Sequence, residues 1–230
     1  MIEPLEPQPR NFLAIVDLIA FGMFFGGILF LISFIKLPIV YAVPLQGVFN
    51  IVIVAFLACW VKFVRRQSFG AFINWCRNFQ FPMAYLISLG AIAAISVLVV
   101  ASRFPQPETP IEKLLTSPAA TSMFVIFGIT VAPFFEEVIF RGFLFKVFWE
   151  IGGSGFAIVF TAAVFALSHA VQLAGNLPSV ILIFLVGCVL SVIRYRSNSI
   201  IPTLVIHTSY NATLFAAFVI STVVQKVSPS

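Results

Sequence analysis

Charged side chains are scarce in this chain. Of its 230 residues, 13 are Lys or Arg and 8 are Asp or Glu, together 9%, whereas a soluble domain carries roughly 25%. Hydrophobic residues make up 61%, and the mean hydropathy is +1.11. This composition excludes an ordinary soluble domain and predicts an integral, multi-pass membrane protein surrounded by lipid. The few charges lie between apolar runs, so we expect topology determinants and no nucleic-acid partner.

Cysteine is also rare. Cys59, Cys76 and Cys188 lie in or beside apolar segments without a CxxC spacing. We therefore expect buried small side chains rather than a disulfide framework or a thiolate metal site. The acidic, Pro-rich N-terminus leads into an apolar run that is too long for a signal-peptide core and lacks a small-residue cleavage site. We expect an uncleaved first helix.

Long apolar runs predict an all-α polytopic membrane bundle in one transmembrane domain, residues 1–230. A bilayer crossing needs about 20 apolar residues, which gives about seven transmembrane helices. Basic and aromatic residues between Lys62 and Arg77 predict an additional interfacial helix or elbow. Pro133 predicts a kink or loosening of the fourth helix. The predicted helices are 12–35, 41–63, 83–101, 121–149, 156–171, 176–193 and 200–224.

Lys and Arg residues set the predicted orientation. With the N-terminus inside, eight of these residues fall on the cytoplasmic side and four on the other, which favours N-terminus in and C-terminus out. Asp17 is the lone charge of the first helix and lies near one end, so we expect a solvated or hydrogen-bonded side chain.

Two adjacent carboxylates and an arginine lie inside an apolar segment that extends from Ser122 to Ile151. Placing a charged side chain at membrane depth costs about 2.5 kcal/mol or more, so such residues are found mainly where they are paired with another group or have a function. Glu137 and Arg141 are four residues apart and can form an ion pair on one helix face. Glu136 points about 100° away and has no such partner in its own segment. A structural charge network and a functional site both explain these residues at this point.

The only two histidines, His169 and His207, both fall in apolar helices. Glu136 precedes the midpoint of the Gly152-Gly153 turn by 16.5 residues, and His169 follows it by 16.5. At the α-helical rise both lie roughly 25 Å from the turn, so they share a level in an antiparallel hairpin. His207 lies about seven residues into the last helix. These groups are expected to converge on one chamber in the cytoplasmic half of the protein.

A carboxylate, imidazoles and a carboxamide at one level suit hydrolysis. Glu136 and His169 can jointly hold and deprotonate a water molecule. His207 and Asn211 lie on one helix face and can donate hydrogen bonds to a carbonyl oxygen as it becomes an oxyanion. Such a site needs neither a serine nor a cysteine nucleophile.

These residues resemble the three motifs of the CPBP family, which comprises type II CAAX prenyl endopeptidases and related bacteriocin-processing and self-immunity proteins of bacteria. The resemblance covers about residues 120 to 225, and the first three helices match only in being apolar. The matching motifs are Glu136-Glu137-x-x-x-Arg141, Phe165-x-x-x-His169 and His207-x-x-x-Asn211.

The resemblance implies an intramembrane endopeptidase in a prokaryotic cytoplasmic membrane, with variable N-terminal helices in residues 1–116 and a catalytic helical core in 117–226. It implies that Glu136 and His169 activate water and that His207 and Asn211 bind the oxyanion. Glu137, Arg141 and Phe165 would support the site. The expected partners are membrane lipids and a peptide or protein substrate, and the resemblance leaves open whether that substrate is prenylated or a bacteriocin-type leader.

Two alternatives stay open from the sequence. In the first, zinc carries the same reaction, with Glu136, His169 and His207 as ligands and an open position for water. We favour a site without a cofactor, because no HExxH motif is present and Asn211 is a poor zinc ligand but a good oxyanion donor. In the second, the polar chamber belongs to a non-catalytic binding or immunity scaffold, or to a transporter.

Overall fold

A computed structural model of the protein describes residues 11–35, 41–76, 79–105 and 118–227, with the backbone alone at 11, 118 and 222–227. Within these ranges the regular structure is entirely helical, which confirms the all-α prediction. The loop predicted from Arg103 to Ser117 lies largely outside the described residues. The helices are α1 (Asn11–Ser33), α2 (Ala42–Trp60), α3 (Phe69–Phe72), α4 (Met83–Ala101), α5 (Pro118–Ile126), α6 (Ala132–Glu136), α7 (Phe145–His169), α8 (Leu177–Ser197) and α9 (Ile201–Val227).

Six helical stretches are long and apolar enough to cross a membrane, which confirms a polytopic helical bundle. One of them, Ala119–His169, has 51 residues and changes direction at Gly153, where φ is 77°. Glycine adopts this left-handed conformation without the steric cost that a side chain brings. The stretch therefore contains two antiparallel arms, residues 119–152 and 154–169, so the described residues agree with about seven crossings.

The first arm is widened by two π-helical stretches, Phe127–Val131 and Glu137–Leu144. At the end of the first stretch, the Ala132 amide bonds to the Phe127 carbonyl, five residues back. Pro133 follows and has no amide hydrogen to continue this pattern. The predicted loosening at Pro133 is confirmed, and it takes the form of wide turns rather than a sharp kink.

Aromatic rings and small residues set the packing around the hairpin. Phe140 of the first arm meets Phe165 of the second in an edge-to-face contact, with ring centroids 5.1 Å apart. The second arm lies against α8 where a Cβ on Gly187 would come within 3.1 Å of Ala162. On the other side α9 packs along α4, and Gly90 allows that close approach. These contacts bring α6, α7 and α9 to one place.

The segment after α2 is predicted to be an interfacial helix or an elbow, and it forms an elbow. A π-helical turn, Val61–Arg65, follows α2, and then comes the four-residue α3, with Phe72 and Ile73 2% and 4% exposed. The Phe72 ring lies 5.7 Å from the ring of Phe143, so the segment is an elbow that packs into the protein core. Arg77 lies outside the described residues.

The expectation that all three cysteines are buried is wrong for two of them. Cys59 and Cys76 are exposed at the protein surface, and Cys188 is partly buried. Cys59 and Cys188 are free thiols. Cys59 lies on a face of α2 turned away from the core, and the apolar surroundings of such a face tolerate a small thiol as readily as a core does.

Four charged side chains form what we call the charge network: Asp17, Arg65, Lys146 and Glu150. Asp17 is fully buried, and its Oδ2 lies 2.7 Å from Arg65 Nε and 2.5 Å from Nη2. Arg65 Nη2 also lies 2.7 Å from Glu150 Oε2, and Lys146 Nζ lies 3.4 Å from Glu150 Oε1. Trp60 donates its indole N–H to Asp17 at 2.9 Å. The expected hydrogen bonding of Asp17 is confirmed, but the side chain is not solvated, and it joins α1 to α2 and the hairpin.

Candidate active site

The hairpin brings Glu136 and His169 to one level, as the residue count predicts. Glu136 Oε2 lies 3.9 Å from His169 Nε2 and 3.6 Å from His207 Nε2. Both separations are too long for a direct hydrogen bond, and a water molecule beside the two atoms can bond to each of them. The side chains of Glu136 and His169 are 25% and 19% exposed, so water can reach them.

The orientation of His169 follows from its backbone contact. Its Nδ1 lies 2.8 Å from the carbonyl oxygen of Phe165, one helical turn earlier. Because a carbonyl only accepts hydrogen bonds, Nδ1 carries the hydrogen in this arrangement. The other ring nitrogen, Nε2, then has a lone pair when the ring is neutral, and this lone pair faces Glu136.

His207 is held between two carboxylates. Its Nδ1 lies 2.8 Å from Glu137 Oε1, and its Nε2 faces Glu136. The side chain is only 5% exposed. An imidazole that donates from Nδ1 to a buried carboxylate is fixed in tautomer and ring orientation. Glu137 therefore positions His207, while Glu136 remains the carboxylate nearest to open space.

The predicted ion pair of Glu137 with Arg141 is present and fully buried. Arg141 Nη1 donates to Glu137 Oε1 at 2.9 Å, and Nη2 reaches the Gly187 carbonyl at 3.4 Å. The guanidinium stacks over the Phe165 ring at 4.2 Å. Glu137 Oε2 and Arg141 Nε have no hydrogen-bond partner among the described residues.

Phe165 lies at the centre of the group that we call the carboxylate–histidine cluster, defined as Glu136, Glu137, Arg141, His169 and His207. The Phe165 ring contacts both imidazoles, with centroid distances of 4.6 Å to His169 and 5.8 Å to His207. Its side chain is 3% exposed. One aromatic ring thus separates the Arg141 guanidinium from the two histidines and fixes their spacing.

Asn211 lies one turn after His207 on α9, and the structure gives it a contact that the sequence did not suggest. Its Nδ2 donates to the Gly128 carbonyl at 2.7 Å. In the π-helical pattern that carbonyl would accept from residue 133, which is a proline without an amide hydrogen. One of the two carboxamide N–H groups is therefore committed to the backbone, and the second remains for another acceptor.

An apolar groove reaches the cluster from the side. It lies between α4, α8 and α9, has a volume of about 280 Å³, and is lined almost wholly by apolar residues. His207 and Tyr210 form part of its wall. A hydrocarbon chain in this groove would lie next to the buried imidazole.

Glu136, His169 and His207 are also the residues that would hold a zinc ion. The donors that zinc would need, two imidazole nitrogens and a carboxylate oxygen, are the types found in zinc enzymes. Within the described ranges, no group of three or more His, Cys, Asp and Glu side chains is arranged to hold a metal ion.

Sequence reasoning missed Arg194. This arginine follows an apolar run and is one of the eight Lys and Arg residues that the sequence predicts on the cytoplasmic side, yet it is fully buried and donates to the Arg141 carbonyl at 2.9 Å. An arginine in the last turn of a membrane helix has the same local sequence pattern whether it faces water or the core. No signal in the sequence could have distinguished the two.

Comparison with known proteins supports the family assignment. The family model described as type II CAAX prenyl endopeptidase Rce1-like matches residues 118–213. The matched segment begins at α5 and includes all three motifs, whereas α1 to α4 lie outside it. No curated protein matches the chain, and no solved structure does. The match over this segment supports the resemblance to the CPBP family of intramembrane proteases, which includes the type II CAAX prenyl endopeptidases.

Proposed function

We propose that the protein is a glutamate-dependent intramembrane endopeptidase that hydrolyses a peptide bond without a metal. The observation that carries this proposal is the position of Glu136 Oε2. It lies 3.9 Å from His169 Nε2 and 3.6 Å from His207 Nε2, close enough for all three atoms to contact one water molecule. A partly buried carboxylate that is close to two imidazoles but bonded to neither is suited to hold and activate a water molecule.

The proposed reaction begins with a water molecule between Glu136 and His169. Glu136 takes one proton while the water oxygen attacks the carbonyl carbon of the scissile bond, and His169 Nε2 accepts a hydrogen bond from the second proton. The resulting tetrahedral oxyanion then collapses and the C–N bond breaks. Glu136 returns its proton to the leaving nitrogen, so that one water is consumed and a carboxylic acid and an amine are formed.

His207 and Asn211 are proposed to stabilise the oxyanion. His207 already donates from Nδ1 to Glu137, so it can donate from Nε2 only when both ring nitrogens are protonated. Asn211 offers the N–H that is not bonded to Gly128. Donors of this kind act where negative charge develops, and each typically contributes about 10²–10³ to kcat.

The proposed substrate is a membrane-associated peptide with a hydrocarbon chain near the scissile bond. The groove between α4, α8 and α9 is apolar and adjoins His207, and the matching family is that of prenyl endopeptidases. A prenylated peptide is therefore the first probe to use, and a bacteriocin-type leader is the alternative. We also propose the orientation that the charge distribution favours, in a prokaryotic cytoplasmic membrane with the N-terminus inside.

The test uses the full chain purified in detergent. It should cleave a farnesylated CAAX peptide faster than the unprenylated peptide, and cleavage should persist after exhaustive chelation. Glu136→Gln should lower kcat by about 10²–10⁴ while the variant still binds the peptide. Glu150→Gln, a matched change in the charge network, should retain kcat.

Three outcomes would contradict parts of the proposal. One equivalent of bound zinc whose removal and return switch activity off and on would establish the zinc mechanism. Peptide binding without cleavage by the unaltered protein would indicate a scaffold. Equal cleavage of both peptides would contradict the hydrocarbon-binding role of the groove.

A further inference from the structure

Arg194 is a buried cation whose partners are all neutral. Its side chain is fully buried near the end of α8, and no carboxylate of the described residues lies within 4 Å of its guanidinium. Nε donates to the Arg141 carbonyl at 2.9 Å, Nη1 reaches Asn198 Oδ1 at 3.4 Å, and the guanidinium lies 5.4 Å from the Phe145 ring centre. A buried charge is costly unless it is paired and hydrogen-bonded. The burial of Arg194 without a carboxylate partner therefore needs a structural explanation.

The reason lies in the π-helical stretch Glu137–Leu144. At its end the Phe145 amide bonds to the Phe140 carbonyl, five residues back. In the α-helical spacing of α7, which begins at Phe145, the next amide, Lys146, would pair with the Gly142 carbonyl four residues back. The Arg141 carbonyl lies between these two and is skipped. A buried carbonyl needs a partner, and Arg194 Nε supplies it.

This stretch sets the direction in which the two glutamates point. One additional residue in a turn rotates the preceding part of a helix by roughly 100° relative to the part that follows. Residues after the stretch, including Phe145 and Phe148, pack into the core. With regular α-helical spacing, that core packing would turn Glu136 and Glu137 away from α9 and the second arm.

The other end of Arg194 reaches the turn that begins α9. Asn198 adopts a left-handed conformation with φ 49°, and its side chain contacts that of Asn74 from the elbow. The Ile200 amide donates to the Asn74 carbonyl at 3.3 Å. Since α9 carries His207, the guanidinium of Arg194 links the helix of Glu137 to the start of the helix of His207.

We propose that Arg194 is a positioning residue. It fixes the position of the π-helical stretch Glu137–Leu144, which we call the wide turn, relative to the start of α9. Glu136, Glu137 and His207 are thereby brought together. Its effect on catalysis rests on the proposed function, whereas its effect on the wide turn does not.

The test compares Arg194→Met and Arg194→Lys with Arg196→Met, a matched change at an exposed arginine two residues away. Hydrogen exchange of the purified full chain reports on the wide turn without a substrate. In Arg194→Met, amides of residues 137–146 should exchange about tenfold faster or more, while those of 12–33 keep their rates. Arg194→Lys retains one donor and should lie between Arg194→Met and the unaltered protein.

Cleavage of the farnesylated peptide supplies the second readout. Arg194→Met should lower kcat by about 10–100-fold, as loss of an outer partner does in metal sites, with KM within twofold and a substantial part of kcat restored in Arg194→Lys. If the unaltered protein does not cleave the probe, the proposed function fails and the exchange result alone decides this proposal.

Two results would overturn the positioning role. The first is that Arg194→Met matches Arg196→Met in exchange at 137–146. The second is exchange that rises equally throughout the protein, which would make Arg194 a general stabilising residue. If Arg194→Met does not fold, the comparison of Arg194→Lys with Arg196→Met in the same local exchange decides the question.

Discussion

The charge network and the carboxylate–histidine cluster are both buried groups of charged side chains, but they differ in how fully their members are paired. In the charge network, two carboxylates face two cations at 2.5 to 3.4 Å, so the formal charges cancel. In the cluster, two carboxylates face one arginine, which leaves a net charge of −1 when the imidazoles are neutral. Its Glu136 has no contact with the imidazoles shorter than 3.6 Å.

This difference separates two uses of charge in a membrane protein. Fully paired groups hold helices together, and each of their carboxylates is already neutralised by a cation. Incompletely paired groups cost stability, which is expected where water or a substrate completes the set.

Arg141→Met should destabilise the protein most. It leaves the buried Glu137 without its cation, and breaking a buried pair in this way costs about 3–5 kcal/mol. The lower end of that range is expected, because His207 still donates to Glu137. The measurement is the unfolding free energy in detergent, together with kcat. As a control, the double variant Glu137→Gln with Arg141→Met should be more stable than Arg141→Met alone, because it leaves no unpaired buried carboxylate at position 137. If Arg141→Met is stable but inactive, Arg141 instead takes part in substrate binding.

Asn211→Ala tests whether one carboxamide both bonds to the Gly128 carbonyl and stabilises the oxyanion. Loss of an oxyanion donor should lower kcat by about 10²–10³, or ~3–4 kcal/mol of transition-state stabilisation. KM should change little, because the interaction strengthens only as charge develops. The Gly128 carbonyl also loses its donor, which adds an instability of about 1–3 kcal/mol.

The matched control for Asn211→Ala is Asn50→Ala, which removes a buried carboxamide that accepts a hydrogen bond from Gln46 within α2. It should lower stability without lowering kcat. If Asn211→Ala loses stability but retains kcat, the carboxamide serves only the Gly128 carbonyl and has no part in the reaction.

Features fixed by helix geometry alone could be predicted from the sequence. The shared level of Glu136 and His169 follows from equal counts on either side of Gly152-Gly153, and the pair of Glu137 with Arg141 follows from their spacing. Both depend on the 1.5 Å rise and the 3.6-residue period, which wide turns alter only slightly over this length.

Contacts between distant segments could not be predicted. Asp17 and Arg65 are 48 residues apart, and no periodicity relates them. The partners of Arg194 and Asn211 are carbonyl groups that only the π-helical stretches leave without donors, and apart from Pro133 these stretches have no local sequence signal. The burial of Phe72 and Ile73 likewise depends on where the elbow meets the hairpin.

Asp17→Asn should have the smallest effect of the three changes and should act on stability alone. Arg65 keeps Glu150 as a charged partner, and Trp60 can still donate to the amide oxygen at position 17. The loss is one strong, charge-assisted contact, about 1.5–3 kcal/mol, and kcat per folded molecule should stay unchanged because the network holds helices and does no chemistry. Lys146→Met, at a partly exposed position, should cost about 0–1 kcal/mol and shows how much a peripheral member contributes. Asp17→Asn could instead keep its stability and lose as much kcat as Glu136→Gln. That result would contradict the division between the charge network and the carboxylate–histidine cluster, because a fully paired network would then take part in the reaction.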